Sequence, residues 1–114
     1  MSIHLLKEKA TPEQMREMLA EHQTMIKVVV DVRRQWMTGG GKMHYEGEQM
    51  LLENGSGPDD LWGANWNPER QIIEFESLIN IRPRLGNRSM ILQDADLCRQ
   101  VESVVRQCLE GIFP

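Results

Sequence analysis

Between residues 72 and 82 apolar and polar side chains alternate. Ile73, Phe75, Ser77, Ile79 and Ile81 share one parity, and Glu74, Glu76, Asn80 and Arg82 share the other. Successive strand side chains point to opposite faces, so the pattern predicts a strand with one largely apolar face. Pro83 lacks the N–H that a ladder needs and ends it. Arg84, Leu85, Gly86, Asn87 and Arg88 follow as a loop, in which Gly86 and Asn87 tolerate positive φ. A rigid element thus hands over to a basic loop.

The rest of the chain supplies partners for that strand. Ile3–Leu6 is a short apolar segment and a plausible edge strand. Thr11-Pro12-Glu13-Gln14 predicts a helix start with a capping box, after which Met15, Met18, Leu19 and His22 share a face. Residues 25–37 are too rich in β-branched side chains to prefer helix and predict a strand that ends at the turn Gly39-Gly40-Gly41. Met43–Tyr45 and Gln49–Glu53, on either side of Gly47, predict a broken or bulged strand, with a short helical turn as the alternative. The residues Asn54–Pro58 form the strongest turn signal. Leu61–Trp66 predicts a further strand, turned by Asn67-Pro68-Glu69-Arg70 into the alternating one. Asp94 or Asp96 opens a last helix of about 16 residues, judged from a stripe of Leu97, Val101, Val104, Val105, Cys108 and Ile112. The expected fold is α+β, one domain over residues 1–114. It is an antiparallel meander of four to five strands, with the N-terminal and C-terminal helices packed on one face.

Charge sorts by segment. The net charge is −4, which argues against a dedicated nucleic-acid binder. Residues 42–81 hold two basic and eight acidic side chains, whereas Arg82, Arg84 and Arg88 stand together with no acid between Ser77 and Gln93. No apolar run approaches the roughly 18 residues of a membrane span, and the first residues show no secretory cleavage signal. Cys98 and Cys108 lie ten positions apart on the last helix, about 15 Å of rise, while a disulfide needs Cα atoms within about 7 Å. They are expected to be reduced thiols in a cytoplasmic protein.

Two constellations could carry chemistry. Arg82, Arg84 and Arg88, with Asn80, Asn87 and a nearby glycine, suit a carboxylate or phosphate, since guanidinium binds such groups bidentately. Equally, the arginines can pair with Glu74, Glu76 and the acidic middle. Asp31 interrupts a valine run, His44 follows the glycine turn and Glu53 precedes the next one. Brought together on an open sheet face, these three would serve acid–base or hard-metal chemistry; otherwise they belong to a solvated face. No metal-spaced or nucleophile motif accompanies them, and no cofactor is expected. Trp36, Trp62, Trp66 and the eight methionines fill a core or form a sticky surface, the latter consistent with a homodimer.

Several blocks, in order, carry a resemblance. They are Val28–Val32, the glycine turn with His44, Leu51–Ser56, Asp60–Asn65, Ile79–Pro83 and Gly86–Ser89. Together they resemble a family of small bacterial proteins of unknown function, common in cyanobacteria. The resemblance spans nearly the whole chain and implies a single-domain, cytoplasmic, bacterial protein; it adds no catalytic residue to the reading.

Two function classes follow from the residues. The first is a non-catalytic binding or interaction module that takes an anionic ligand or a protein partner at Arg82, Arg84, Asn87 and Arg88. The alternative is a small hydrolase-like or nuclease-like enzyme that uses Asp31, His44 and Glu53.

Overall fold

The reciprocal cap expected at Thr11 is present. Its hydroxyl accepts the Gln14 N–H at 3.1 Å and the Gln14 side chain accepts the Thr11 N–H at 2.9 Å. The computed structural model describes residues 3–114. In chain order the elements are β1 (His4–Leu6), α1 (Pro12–Met18), β2 (Ile26–Asp31), β3 (Trp36–Gly39), α2 (His44–Glu53), β4 (Leu61–Asn67), β5 (Ile72–Glu74) and α3 (Ala95–Leu109). Short 3₁₀ turns occupy Pro58–Asp60, Leu78–Asn80 and Pro83–Leu85. The five strands form one antiparallel sheet in the order β1-β3-β2-β4-β5. The fold is α+β. β3 and β4, consecutive in the chain, lie on opposite sides of β2, and the chain between them carries α2.

The two faces of the sheet are covered differently. Val28, Val30, Met37, Trp62, Ala64 and Trp66 join Met15 and Met18 of α1 and Val101, Val104, Val105, Cys108 and Leu109 of α3 in the main core. A second, smaller core of Val29, Leu51 and Leu61, with Leu5, Trp36, Leu52 and Ile79 packed against it, lies under α2. The N-terminal and C-terminal helices therefore share a face, as the sequence suggests. α3 starts at Asp94, whose carboxylate accepts the Leu97 N–H at 2.9 Å. Cys98 and Cys108 are free thiols. Among the described residues no helix is long and apolar enough to cross a membrane.

Four local expectations are corrected. Residues 25–37 do not form one strand, because the chain reverses at Val32–Gln35 between β2 and β3. Asp31 directs the reversal: its carboxylate accepts the N–H groups of Arg33 and Arg34, both at 3.0 Å. Helix α1 ends at Met18, so His22 lies beyond it, with Nε2 3.1 Å from the Lys42 carbonyl. Residues 44–53 are a helix rather than a broken strand. Gly47, which weakens the helical signal in sequence, is there because α2 presses on β3. A Cβ at this position would fall 2.3 Å from the Thr38 hydroxyl oxygen.

The fourth correction concerns the alternating stretch itself. Only Ile72–Glu74 pairs as β5. The chain then makes a single bridge from Glu76 to Ile91, bends at Ser77 and crosses the α2 side of β4 as a 3₁₀ turn. Gly63 permits the crossing, since a Cβ there would stand 2.6 Å from the Ser77 Cβ. The odd-parity apolar face is consequently split. Ile73 and Phe75 pack on the main core, Ile79 on the second, and Ile81 is exposed.

The β2–β3 and β4–β5 reversals use one solution twice. Asp31 and Asn67 cap their turns with side-chain oxygens, and Gln35 and Gln71 close them at φ 60° and 57°. Left-handed backbone disfavours a residue with a Cβ. At Gln71 the side chain compensates, donating to the Pro68 carbonyl at 2.6 Å and accepting the Gly111 N–H at 2.9 Å. Gln35→Gly is therefore expected to stabilise the fold by about 0.5–1 kcal/mol in urea unfolding. Gln71→Gly loses two hydrogen bonds of about 1 kcal/mol each and should bring no gain. Gly63→Ala should cost about 1–3 kcal/mol in the same assay, because the overpacked Ser77 segment must move.

Candidate functional site

On the α2 side of the sheet, β2 and β4 set Lys27 opposite Asn65, Val29 opposite Gly63 and Asp31 opposite Leu61. The middle and last of these pairs lie under α2 and the 78–80 turn. The first lies where the helix N-terminus and the turn leave the sheet floor open. The result is a cleft of about 320 Å³. Its floor holds Lys27 and Asn65, one wall is Met43, His44 and Tyr45, and the other is Glu76, Ser77, Leu78 and Ile79, with Met90 at the edge. Most of the lining is apolar, and Leu78 is 61% exposed.

The polar groups of the cleft are few and specific. His44 is 8% exposed, and its Nε2 donates to the Ala64 carbonyl at 2.8 Å. Burial lowers its pKa from 6.5 to about 4, helped by the Lys27 charge and opposed by the Ala64 carbonyl and the Asn65 side chain. The ring is thus neutral at pH 7, with the proton on Nε2 and a lone pair on Nδ1. Asn65 donates to the Glu76 carbonyl at 3.3 Å, while its buried side-chain oxygen has no partner among the described residues. Neither Lys27 nor Glu76 makes an ion pair among the described residues.

The arginine loop is built from inside by two asparagines. Asn80, fully buried, accepts the Gly63 N–H at 2.8 Å and donates to the Gly63 carbonyl at 2.9 Å and the Met90 carbonyl at 3.0 Å. Its amide stands in for the backbone of a neighbouring strand where β5 has ended. Asn87 donates to the carbonyls of Asn80, Ser89 and Ile91 and accepts the Gln93 N–H. Arg82 donates to Glu48 at 2.7 Å and to the Pro58 carbonyl at 2.5 Å, and lies over Trp62 with 5.2 Å to the ring centre. Arg84 makes a bidentate pair with Asp59 at 2.6 and 3.1 Å, and its hydrogen bond holds the Asp59 carboxyl below its ordinary pKa. Arg88 is exposed and makes no ion pair among the described residues.

Asp31, His44 and Glu53 are differently employed. One Asp31 oxygen caps the β2–β3 reversal and the other accepts the Ser56 hydroxyl at 2.6 Å. The carboxylate is fully buried and tied to the loop after α2. His44 stands at the first residue of α2 and the exposed Glu53 at its last, nine residues or about 13 Å of helical rise apart. Among the described residues no group of three or more His, Cys, Asp or Glu side chains is placed to hold a metal ion. The cleft residues Lys27, Met43, Asn65, Glu76 and Leu78 escaped sequence reasoning. Their proximity depends on strand register and on the crossing at Gly63. An isolated lysine in the valine strand was the one available signal.

The chain belongs to DUF5674, a family of proteins of unknown function, whose model matches residues 4–108. No curated protein and no solved structure matches it.

His44 makes stability pH-dependent. The native pKa lies below the unfolded one, so on acidification the unfolded chain takes up the proton first. The contribution is complete above about pH 6.5 and is lost as pH falls toward 4, a loss of roughly 3 kcal/mol. His44→Gln keeps an N–H for the Ala64 carbonyl but does not titrate. Urea midpoints at pH 7.5 and 5.0 should differ less in this variant than in the parent.

Proposed function

We propose that this protein is a non-catalytic binding module whose ligand site is the cleft between the α2 N-terminus and the 78–80 turn. The observation that carries this reading is the lining. Met43, Tyr45 and Leu78 are left exposed around a concavity of about 320 Å³, with a few polar groups at its floor. An apolar hollow with convergent polar groups is how small-molecule sites are built, and this volume lies at the small end of their range. The arginine loop supports the reading indirectly, because the donors of Arg82 and Arg84 already meet Glu48, Pro58 and Asp59. Asp31 is likewise saturated by backbone and Ser56, which speaks against its use as a base.

A second reading takes the same surface as a protein interface, including one between two copies of the chain. It is favoured by two further exposed apolar side chains outside the cleft lining, Ile81 and Ile91, 44% and 52% exposed.

A thermal-shift panel of small aliphatic and aromatic acids, amines and amino acids tests the first reading. A ligand at 100 times its Kd stabilises by about 2.7 kcal/mol. The shift should be at least fivefold weaker in ligand titration for Leu78→Ser and unchanged for Ile81→Ser, which lies outside the cleft. No shift with any compound, together with a dimer in sedimentation that Ile81→Ser dissolves, would favour the interface instead.

A further inference from the structure

Lys27 and Glu76 line the same cleft, one on the floor and one on the wall, yet the Lys27 Nζ does not come within 4.0 Å of a Glu76 carboxylate oxygen. Two opposite charges at one small hollow ordinarily close on each other when their side chains can reach. Here they stand apart, with Asn65 opposite Lys27 and bonded to the Glu76 carbonyl, and with Met43, Tyr45, Leu78 and Met90 lining the same cleft. A ligand that fills the hollow displaces water from the cleft side of both the half-buried Lys27 and the exposed Glu76, and each then gains from a counter-charge or a hydrogen bond there. A simple carboxylate would satisfy Lys27 and face Glu76 with a like charge. A simple amine would satisfy Glu76 and face Lys27. Only a molecule carrying both signs matches the pair.

The remaining polar groups agree with this assignment. His44 lines the cleft, and because its Nε2 donates to Ala64, Nδ1 is the ring's remaining acceptor. The ten-residue helix α2 begins at this wall and adds partial positive charge on the side of His44 and Tyr45. Donor and acceptor groups are thus both available within a volume at the small end of the range for small-molecule sites. Met43, Tyr45, Leu78 and Met90 supply an apolar surround.

We infer that the cleft binds a small zwitterion with an apolar body, of the chemical class of a free aliphatic α-amino acid. Lys27 meets its carboxylate, Glu76 its ammonium group, and the methionine, tyrosine and leucine side chains its hydrocarbon part. This rests on the cleft being the ligand site and goes further in naming the charge pattern of what it takes.

Three compounds with the same hydrocarbon body separate the possibilities: leucine, 4-methylpentanoic acid and 3-methylbutylamine, titrated at pH 7.5 by calorimetry. Leucine should bind at least tenfold more tightly than either singly charged compound. Glu76→Gln, at an exposed position, should narrow the gap between leucine and the acid. Lys27→Met should narrow that between leucine and the amine. Far-UV circular dichroism checks that both variants remain folded. If the acid or the amine binds the parent as tightly as leucine, the zwitterion assignment is overturned while the cleft remains a ligand site. If none of the three binds but other apolar compounds shift the melting temperature through Leu78, the assignment fails alone. If nothing binds the cleft at all, both readings fall.

Discussion

The side-chain amide of Asn80 replaces a stretch of β-strand. β5 covers β4 only from Asn65 to Asn67, so the edge of β4 at Gly63 would otherwise present a buried N–H and carbonyl with no partner. Leaving such groups unpaired costs about 1–3 kcal/mol each. Asn80 meets both groups and reaches the Met90 carbonyl as well. Asn87 then holds the Asn80 carbonyl and the backbone at Ser89, Ile91 and Gln93. Two amides therefore fix the whole segment from residue 77 to residue 93 against the sheet. The missing side chain at Gly63 is the steric counterpart of this arrangement, since the segment lies where a Cβ would be.

The wall of the cleft depends on that anchoring, and the opposite wall depends on how α2 is held. At its start, Glu46 turns back to accept the N–H groups of Lys42 and Met43, and His44 donates to the Ala64 carbonyl. At its end, Arg34 donates to the carbonyls of Asn54 and Gly55 while lying over Trp36, and Ser56 donates to Asp31. Between these ends, Glu48 pairs with Arg82 in a mostly buried contact that links the helix to the arginine loop. A charge in the valine strand and an arginine in a basic loop, which look functional in isolation, are thus parts of the frame. Around the cleft the frame leaves Lys27 and Glu76 without an ion pair and the Asn65 side-chain oxygen without a partner among the described residues.

Much of the architecture was readable because it rests on local chemistry. The Thr11 cap, the Asp94 cap and the apolar stripe of α3 follow from residue spacing alone, as do the valine-rich strand and the turn at Asn67. The failures share a cause. In residues 44–53, Gly47 argued against a helix because its tight contact with Thr38 is invisible in the sequence. In residues 72–82 the alternation was real, but Ile73 and Phe75 pack on one face of the sheet, Ile79 on the other, and Ile81 is exposed. For Asn80, Asn87 and the arginines, residue type announced an ability to bind anions or polar groups, and the folded chain uses much of that ability on itself.

The sequence alone dictated an α+β class, the starts of α1 and α3 and the placement of those two helices over a valine-rich sheet, because capping and periodicity act over a few residues. Tertiary structure decided everything about the cleft. Lys27, His44, Asn65, Glu76 and Leu78 come from four separate segments. They meet because β4 pairs with β2 in one register and because Gly63 lets the chain cross it. Neither the register nor the close approach has a local signature, since each is selected by the packing of residues far apart in the chain.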